Sequence, residues 1–265
     1  MNMDTLHNLM VGWEFIPGAQ IKTRLPLIER LLNEGADPNQ TNENGATPLG
    51  LLVGHTQEVV GGCDIAHLLI AHGANPLAKD QPLLRAGLST MLGMLVALKW
   101  RNEAGVMLTS EDGSGPFHLF PQDNPRALME CMVPGLAGGW KVEYRNWPAW
   151  WYTQPRNDGK TPLHCFAAGV MGEDAGPAWT HKAPPHVALW MICKTFVQYD
   201  PSVLDRRDNE GRSGASLLAR AMAHTPFGTL PEDQPLVDMI QARHQAHTLE
   251  ALPHAVAKTG RGARL

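Results

Sequence analysis

Histidine and cysteine side chains can act as nucleophiles, general bases or metal ligands, and the chain holds 12 histidines and 4 cysteines. Cys165 follows His164 directly, so a thiolate–imidazole pair is the simplest covalent chemistry on offer. The cysteines are widely spaced and form no CxxC or zinc-ligand pattern. We therefore interpret them as reduced, buried thiols, and His164 and Cys165 as core residues.

Metal and cofactor chemistry finds little support in the sequence. His181 and His186 lie five apart in a proline-rich segment without converging ligands, and His244 and His247 lack the intervening Glu of a zinc-protease helix. No phosphate loop, no GxSxG elbow and no GxGxxG motif is present. We expect a non-catalytic protein with no metal and no cofactor.

Binding chemistry is concentrated in one segment, which runs from Trp140 to Tyr152 and holds four of the eight tryptophans and two of the three tyrosines. Trp, Tyr and Arg dominate interface energies because they bury a large area with few rotatable bonds. The alternative is that these rings fold back and cover an open seam of the fold. The candidate partner-binding residues are Trp140, Tyr144, Arg145, Trp147, Trp150, Trp151 and Tyr152.

A repeated motif indicates which elements hold these residues. Pro48, Pro82 and Pro116 are separated by two equal steps of 34 residues. Thr before Pro is typical of a helix start, because the hydroxyl accepts an unpaired N–H and proline suits the first helical position. The similar segments are Asn44–Leu49, Asp112–His118, Asp158–His164 and, more weakly, Asn209–Ser216.

A second marker ends an apolar helical stretch in Gly-Ala, at Gly35-Ala36 and again at Gly73-Ala74. Glycine suits the residue after a helix because the left-handed backbone needed there disfavours a Cβ. The Asn-Gly and Asp-Gly pairs between the markers are tight-turn signals. The predicted unit is a turn, a short helix, a second helix, a glycine stop and an extended return.

This unit resembles the ankyrin repeat, which is about 33 residues long and has a Gly-x-Thr-Pro-Leu-His start and a Leu-Leu-x-x-Gly-Ala stop. The resemblance covers residues 25–224 and is clearest at Thr47-Pro48-Leu49 and Thr161-Pro162-Leu163-His164. It implies an all-α ankyrin-repeat solenoid of about five helix-turn-helix units with β-turn fingers and two long insertions.

The resemblance also implies a domain plan. We expect an N-terminal capping segment over residues 1–24, ankyrin repeats over 25–225, and a C-terminal capping helix with a flexible basic tail over 226–265. The departures from the family spacing place insertions near 136–155 and 172–186, with a smaller one near 53–62. The finger after Gly73 is shortened.

In this family the fingers and first helices line a concave binding surface, and the histidine of the start motif supports the fold. That gives His118 and His164 structural roles. Polar tips are also what solvation alone would select, so that alternative stays open. Carried over by position, the tips are Asn42, Glu43 and Asn44, Lys79 and Asp80, Arg156, Asn157 and Asp158, and Asn209, Glu210 and Arg212.

Composition narrows the class of partner. The net charge is −4, and the basic tail at residues 258–264 is short. The sequence thus lacks the concentrated basic surface that nucleic-acid binding usually needs. The start lacks a positive n-region and the longest apolar run is too short to span a bilayer, so we expect a cytoplasmic protein without a membrane role. An excess of Arg over Lys, 14 to 8, favours a bacterial or viral genome.

The function expected from these features is that of a monomeric module that binds another protein. One alternative is an inhibitor, immunity or effector-type protein that blocks a specific enzyme. Another is an enzyme with a cryptic site in the insertions, which residues such as His181 would serve.

Replacing Trp150 or Trp151 with alanine is expected to weaken partner binding and leave the melting temperature of the free protein unchanged, since an interface ring contributes to binding and not to folding. A binding titration and a thermal unfolding curve for each variant test this. Loss of stability with unchanged affinity would favour the covering role.

Overall fold

The structure is a computed structural model that describes residues 4–10, 18–54, 62–86, 88–123, 147–171, 186–224 and 233–259. The chain forms two compact units. Unit 1 comprises Met1–Leu119 and Lys141–Pro148, and unit 2 comprises Phe120–Trp140 and Ala149–Leu265. The regular structure in the described ranges is helical, without a strand, as an all-α fold requires.

Helices follow one another along both units. Those that begin in unit 1 are α1 (Asp4–Leu9), α2 (Gly18–Asn33), α3 (Pro48–Gly54), α4 (Gly62–Ala71), α5 (Pro82–Arg85), α6 (Leu88–Glu103) and α7 (Pro116–Asp123). Those of unit 2 are α8 (Trp150–Thr153), α9 (Pro162–Met171), α10 (His186–Tyr199), a 3-10 turn (Pro201–Leu204), α11 (Gly214–His224) and α12 (Gln234–Thr259).

The Thr-Pro motifs start helices in the way the sequence predicts. Thr47 precedes α3 and its hydroxyl accepts the Gly50 N–H at 3.0 Å. Thr161 precedes α9, and its hydroxyl lies 2.7 Å from His164 Nδ1. Because Pro48 and Pro162 occupy the first helical position, their missing N–H groups leave no hydrogen bond unmade there.

Glycine ends the second helix of successive repeats in unit 1. Gly35, Gly73 and Gly105 have φ values of 94°, 101° and 83°. In each case the next residue donates its N–H to a carbonyl five positions earlier, as Ala36 does to Leu31 at 3.0 Å. This is the Schellman arrangement, and the stop at Gly105 adds a third to the two that the sequence predicts.

Four tight turns repeat one geometry. The N–H of the first residue donates to the carbonyl of the fifth at 2.9–3.0 Å, and the fourth residue is a glycine with φ between 74° and 81°. We call these turns fingers, and they are Asn42–Ala46, Ser110–Ser114, Arg156–Lys160 and Asp208–Arg212. They match the predicted β-turn fingers in position.

The finger between the first two is shortened, as the spacing predicts. Asp80 ends it, and Gln81 then enters α5 with a left-handed backbone at φ 52°. The Asp80 carboxylate reaches back to the preceding repeat, where one oxygen accepts the Thr47 N–H at 2.7 Å and the Thr47 hydroxyl at 2.9 Å. A residue of one repeat therefore completes the helix start of its neighbour.

Each helix pair buries its apolar side against the next pair. In unit 1, α4 packs against α2 and α6, and Ile65 and Leu69 of α4 are fully buried. In unit 2, α11 packs between α9 and α12, and Leu218 and Ile240 are fully buried. Burying an aliphatic side chain of this size stabilises the fold by about 1.5–3 kcal/mol. Stacking therefore supplies the apolar burial that a single helix pair lacks.

The structure can be compared with the predicted domain boundaries only in part. Helix α2 runs across the predicted boundary at residue 25, and α12 contains the residues predicted to form a closing helix. Residues 136–146 and 172–185 of the two insertions, residues 55–61 and the tail end at 260–265 lie outside the described residues. The domain plan as a whole stays a prediction.

Gly50→Ala is expected to destabilise the protein by about 1–3 kcal/mol, because a Cβ at this position would overlap the Asp80 carboxylate. Chemical denaturation of the single variants and of the pair Gly50→Ala/Asp80→Ala measures the coupling. Removing the carboxylate should make the alanine at 50 nearly harmless. Strictly additive effects would show that the carboxylate is not what excludes the Cβ.

Candidate functional site

Two fingers of unit 2 lie side by side. The Asn209 N–H donates to the Asp158 carbonyl at 2.9 Å, and the Asn209 side-chain amide donates to the Asn157 carbonyl at 3.4 Å. Gly159 faces Asn209 so closely that a Cβ there would lie 2.9 Å from its side-chain oxygen. The predicted tips at 156–158 and 209–212 therefore form one surface.

The charged residues of these two fingers bind within their own turns. Arg156 donates to both carboxylate oxygens of Asp158 at 2.8 and 2.7 Å, and Arg212 donates to Asp208 at 2.9 Å and to Glu210 at 3.0 Å. The paired Arg156 guanidinium holds the pKa of Asp158 far below its usual range. These ion pairs make the turns rigid.

Asp208 is more buried than Asp158, and its carboxyl pKa is also lowered by a paired arginine. Burial acts to raise the pKa of its carboxyl, but the backbone N–H and guanidinium of Arg212 outweigh burial and lower that pKa. The side chains left exposed at this surface are those of Asn157, Asn209 and Glu210. We call these three residues the tip surface.

In the first finger of unit 1, too, some residues shape the turn and others are exposed. The Asn42 side-chain oxygen accepts the N–H groups of Asn44 and Ala46, both at 3.0 Å, so Asn42 shapes the turn. Glu43 and Asn44 are exposed. Of the next predicted tip, Lys79 is exposed and Asp80 is turned onto Thr47.

An asparagine ladder joins successive repeats of unit 1, and the sequence reasoning missed it. Asn39 donates to the Gly73 carbonyl at 2.8 Å and accepts the Asn75 N–H at 2.7 Å. Asn75 in turn donates to the Thr109 carbonyl at 3.0 Å. The signal that could have revealed it is the Asn shortly after each Gly-Ala stop.

The aromatic segment divides into a part inside and a part outside the described residues. Trp140, Tyr144 and Arg145 lie outside them. Trp147, Trp151 and Tyr152 are buried, and Trp150 is half-buried.

Three of the rings pack within unit 2. Tyr152 stacks on Tyr199 with ring centroids 3.9 Å apart and meets Phe196 edge-on at 5.9 Å. Trp150 meets the 1% exposed ring of Trp151 edge-on at 6.1 Å. This packing supports a covering role for Trp151 and Tyr152, and loss of stability is now the outcome we expect of Trp151→Ala. The partner contacts predicted for this segment stay a prediction.

The start-motif histidines take part in structural hydrogen bonds. His118 Nδ1 accepts the Gly115 N–H at 3.1 Å. His164 Nδ1 accepts from Thr161, and its Nε2–H donates to the Arg212 carbonyl of the following finger at 3.2 Å. Burial lowers the pKa of His164, so the neutral ring that these bonds require is favoured.

Among the described residues of unit 2, Ser213, His247 and Asp205 form a Ser–His–Asp arrangement. Ser213 Oγ lies 2.8 Å from His247 Nδ1, and His247 Nε2 lies 3.5 Å from an Asp205 carboxylate oxygen. Ser213 is 1% exposed, and its hydroxyl accepts the Ser216 N–H at 3.2 Å at the start of α11. A substrate cannot reach this hydroxyl, so the arrangement is structural.

An exposed tryptophan on unit 1 also escaped the sequence reasoning. Trp100 of α6 is 57% exposed and borders a groove of about 470 Å³ between the second helices of successive repeats. Its ring meets His67 of α4 edge-on with centroids 5.7 Å apart. An isolated Trp in a helical stretch gives no sequence signal of exposure.

Metal and membrane features were sought in the same residues. The described ranges contain no group of three or more His, Cys, Asp and Glu side chains arranged to hold a metal ion. None of their helices combines the length and apolar character needed to cross a membrane. His181 lies outside the described residues.

The chain is similar in sequence to a known ankyrin-repeat protein. A stretch of 105 residues is 30% identical to cyclin-dependent kinase 4 inhibitor B of Bos taurus, an ankyrin-repeat protein, and covers 38% of this chain and 73% of the relative. The chain belongs to the ankyrin-repeat family. No family model matches the chain. The relative is named as an inhibitor, which is in keeping with a role in protein interaction for the family member described here.

Lowering the pH from 7 to 5 is expected to destabilise the protein partly through His164. Its folded-state pKa is lowered by burial, so below the unfolded value of about 6.5 the unfolded chain binds more protons and stability is lost as the pH falls. His164→Gln should reduce the free energy of unfolding at pH 7 but flatten its decline towards pH 5.

Denaturation curves at several pH values measure both effects. The exposed His224 offers a matched control, because His224→Gln removes an imidazole without disturbing the interior. Identical pH slopes for the wild type and His164→Gln would contradict the assignment.

Proposed function

We propose that this chain is a non-catalytic protein–protein interaction module that binds a folded partner protein through its fingers. The observation that carries the proposal is the tip surface of unit 2. Asn157, Asn209 and Glu210 are exposed on two turns that are bonded to each other and closed by their own ion pairs. Binding on such a surface freezes little backbone motion.

The remaining predicted contacts extend this surface. Glu43 and Asn44 offer exposed polar groups on the first finger. In the aromatic segment, Trp150 keeps part of its ring accessible, and Trp140, Tyr144 and Arg145 are proposed contacts. We further propose that the chain contains about five ankyrin repeats, that the free protein is a cytoplasmic monomer, and that its partner is neither nucleic acid nor membrane.

A more specific candidate is that the module inhibits an enzyme by covering part of its surface. The name of the bovine relative, an inhibitor of a cyclin-dependent kinase, favours this version. The enzyme alternative gains no support from the Ser213 arrangement, because the hydroxyl is enclosed and serves the start of α11.

The proposal is tested by reversing the chemistry of the tip surface. The double variant Asn157→Lys/Glu210→Lys should weaken partner binding by about tenfold or more, because both side chains are exposed at the proposed centre of contact. The partner is first isolated by cross-linking in the native cell, and the affinity of the purified pair is then measured by calorimetry.

The control is Gln241→Lys, which adds a positive charge at an exposed position of α12, outside the finger turns. It should bind as the wild type does. The melting temperature of the control should equal that of the wild type. The double variant should melt only slightly lower, because the Arg212–Glu210 ion pair that it removes is exposed and contributes about 1 kcal/mol or less. Equal affinity of the double variant and the control would refute binding through these fingers.

A further inference from the structure

The groove beside Trp100 is built from the second helices of three successive repeats. Its walls come from α2, α4 and α6, and no finger residue lines it. Its size of about 470 Å³ is within the range of pockets that hold a ligand group. It is therefore separate from the tip surface.

The rim of the groove is held by bonds between repeats. His67, against which the Trp100 ring lies, is fixed by a hydrogen bond between its Nε2 and the Gly93 carbonyl at 2.6 Å. Arg101 donates to the Ala71 carbonyl at the end of α4 at 2.9 Å. The Trp100 ring thus lies against an anchored His67 and is still 57% exposed.

The groove is lined by more acidic than basic side chains. Glu29 of α2 and Asp64 of α4 are exposed carboxylates, and neither has an ion-pair partner among the described residues. The one cationic side chain among the lining residues, Arg101, is directed to the carbonyl at the end of α4. The groove thus combines an aromatic ring, two carboxylates and the apolar side chains of Leu25 and Leu68.

We propose that this groove receives an arginine side chain of a partner protein. Arginine fits the combination because its planar guanidinium stacks on an aromatic ring, donates to carboxylates, and has an apolar stem that packs on leucine. A lysine ammonium would meet the same charges but stack less well. An uncharged apolar side chain would leave both carboxylates without a partner.

The inference rests on the proposed function and adds a second contact surface with a defined chemistry. The probe that isolates it is the peptide acetyl-Leu-Arg-Leu-amide, compared with the same peptide carrying citrulline, a neutral analogue of arginine. The readout is the NMR signal of the Trp100 indole N–H, which is identified by its absence in Trp100→Phe.

The arginine peptide should shift the Trp100 signal in a saturable way, and citrulline should bind more weakly. Trp100→Ala should weaken binding by about two- to fivefold, the range of an exposed cation–aromatic contact. Glu29→Gln/Asp64→Asn should have an effect of similar size that shrinks at high salt. Binding by the Trp100→Ala protein is followed by the signals of the remaining groove residues.

Met107→Ala is the matched control, because Met107 is also 57% exposed but lies outside the groove, and it should bind as the wild type does. Three outcomes would overturn the proposal. These are equal binding of the citrulline and arginine peptides, no shift of the Trp100 signal, and a shift that follows the protein concentration and not the peptide concentration. The assay contains no partner and no finger variant, so its failure leaves the proposed function intact.

Discussion

The hydrogen bonds between equivalent positions of neighbouring repeats are the interaction on which the rest of the molecule depends. In unit 1 they join residues 33 to 36 positions apart, as Asp80 with Thr47 and Asn75 with Asn39. Thr47 is buried, and a buried polar group without a partner costs about 1–3 kcal/mol, so the Asp80 carboxylate satisfies donors that would otherwise be unpaired inside the stack. They set the register in which one helix pair covers the next.

The same structural position is filled by different chemistry along the chain. Where α9 carries His164, α3 carries Gly50, and the space beside this glycine is taken by the carboxylate of Asp80. In the last finger-linked repeat, Ser213 accepts the Ser216 N–H and contacts His247 of the closing helix. The family motif is therefore best understood as a requirement for paired donors and acceptors, which several residue combinations meet.

The sequence could predict what is decided locally. Thr161-Pro162 starts a helix and Gly35 and Gly73 end helices because each acts on hydrogen bonds within a few residues. The stop at Gly105 was missed because it is followed by Val106 where the other two have alanine. The repeat spacing then indicated the family.

What the sequence could not reveal depends on distant residues. The burial of Tyr152 is set by Tyr199, and the exposure of Trp100 depends on how α6 lies against α4. Likewise, Arg156 and Arg212 were candidate contacts by position, and only the structure shows that their charges are engaged within their own turns. Composition cannot distinguish a ring that seals an interior from one that faces water.

The way in which the finger Arg156–Lys160 is closed has a consequence for engineering. In Arg156–Lys160, the backbone bonds, the glycine and the Arg156–Asp158 pair define the loop, and Asn157 is exposed at its tip. Positions of this kind can be randomised in a display library with little risk to expression. Natural or laboratory selection could therefore change the binding specificity of the molecule by substitutions in one finger at a time.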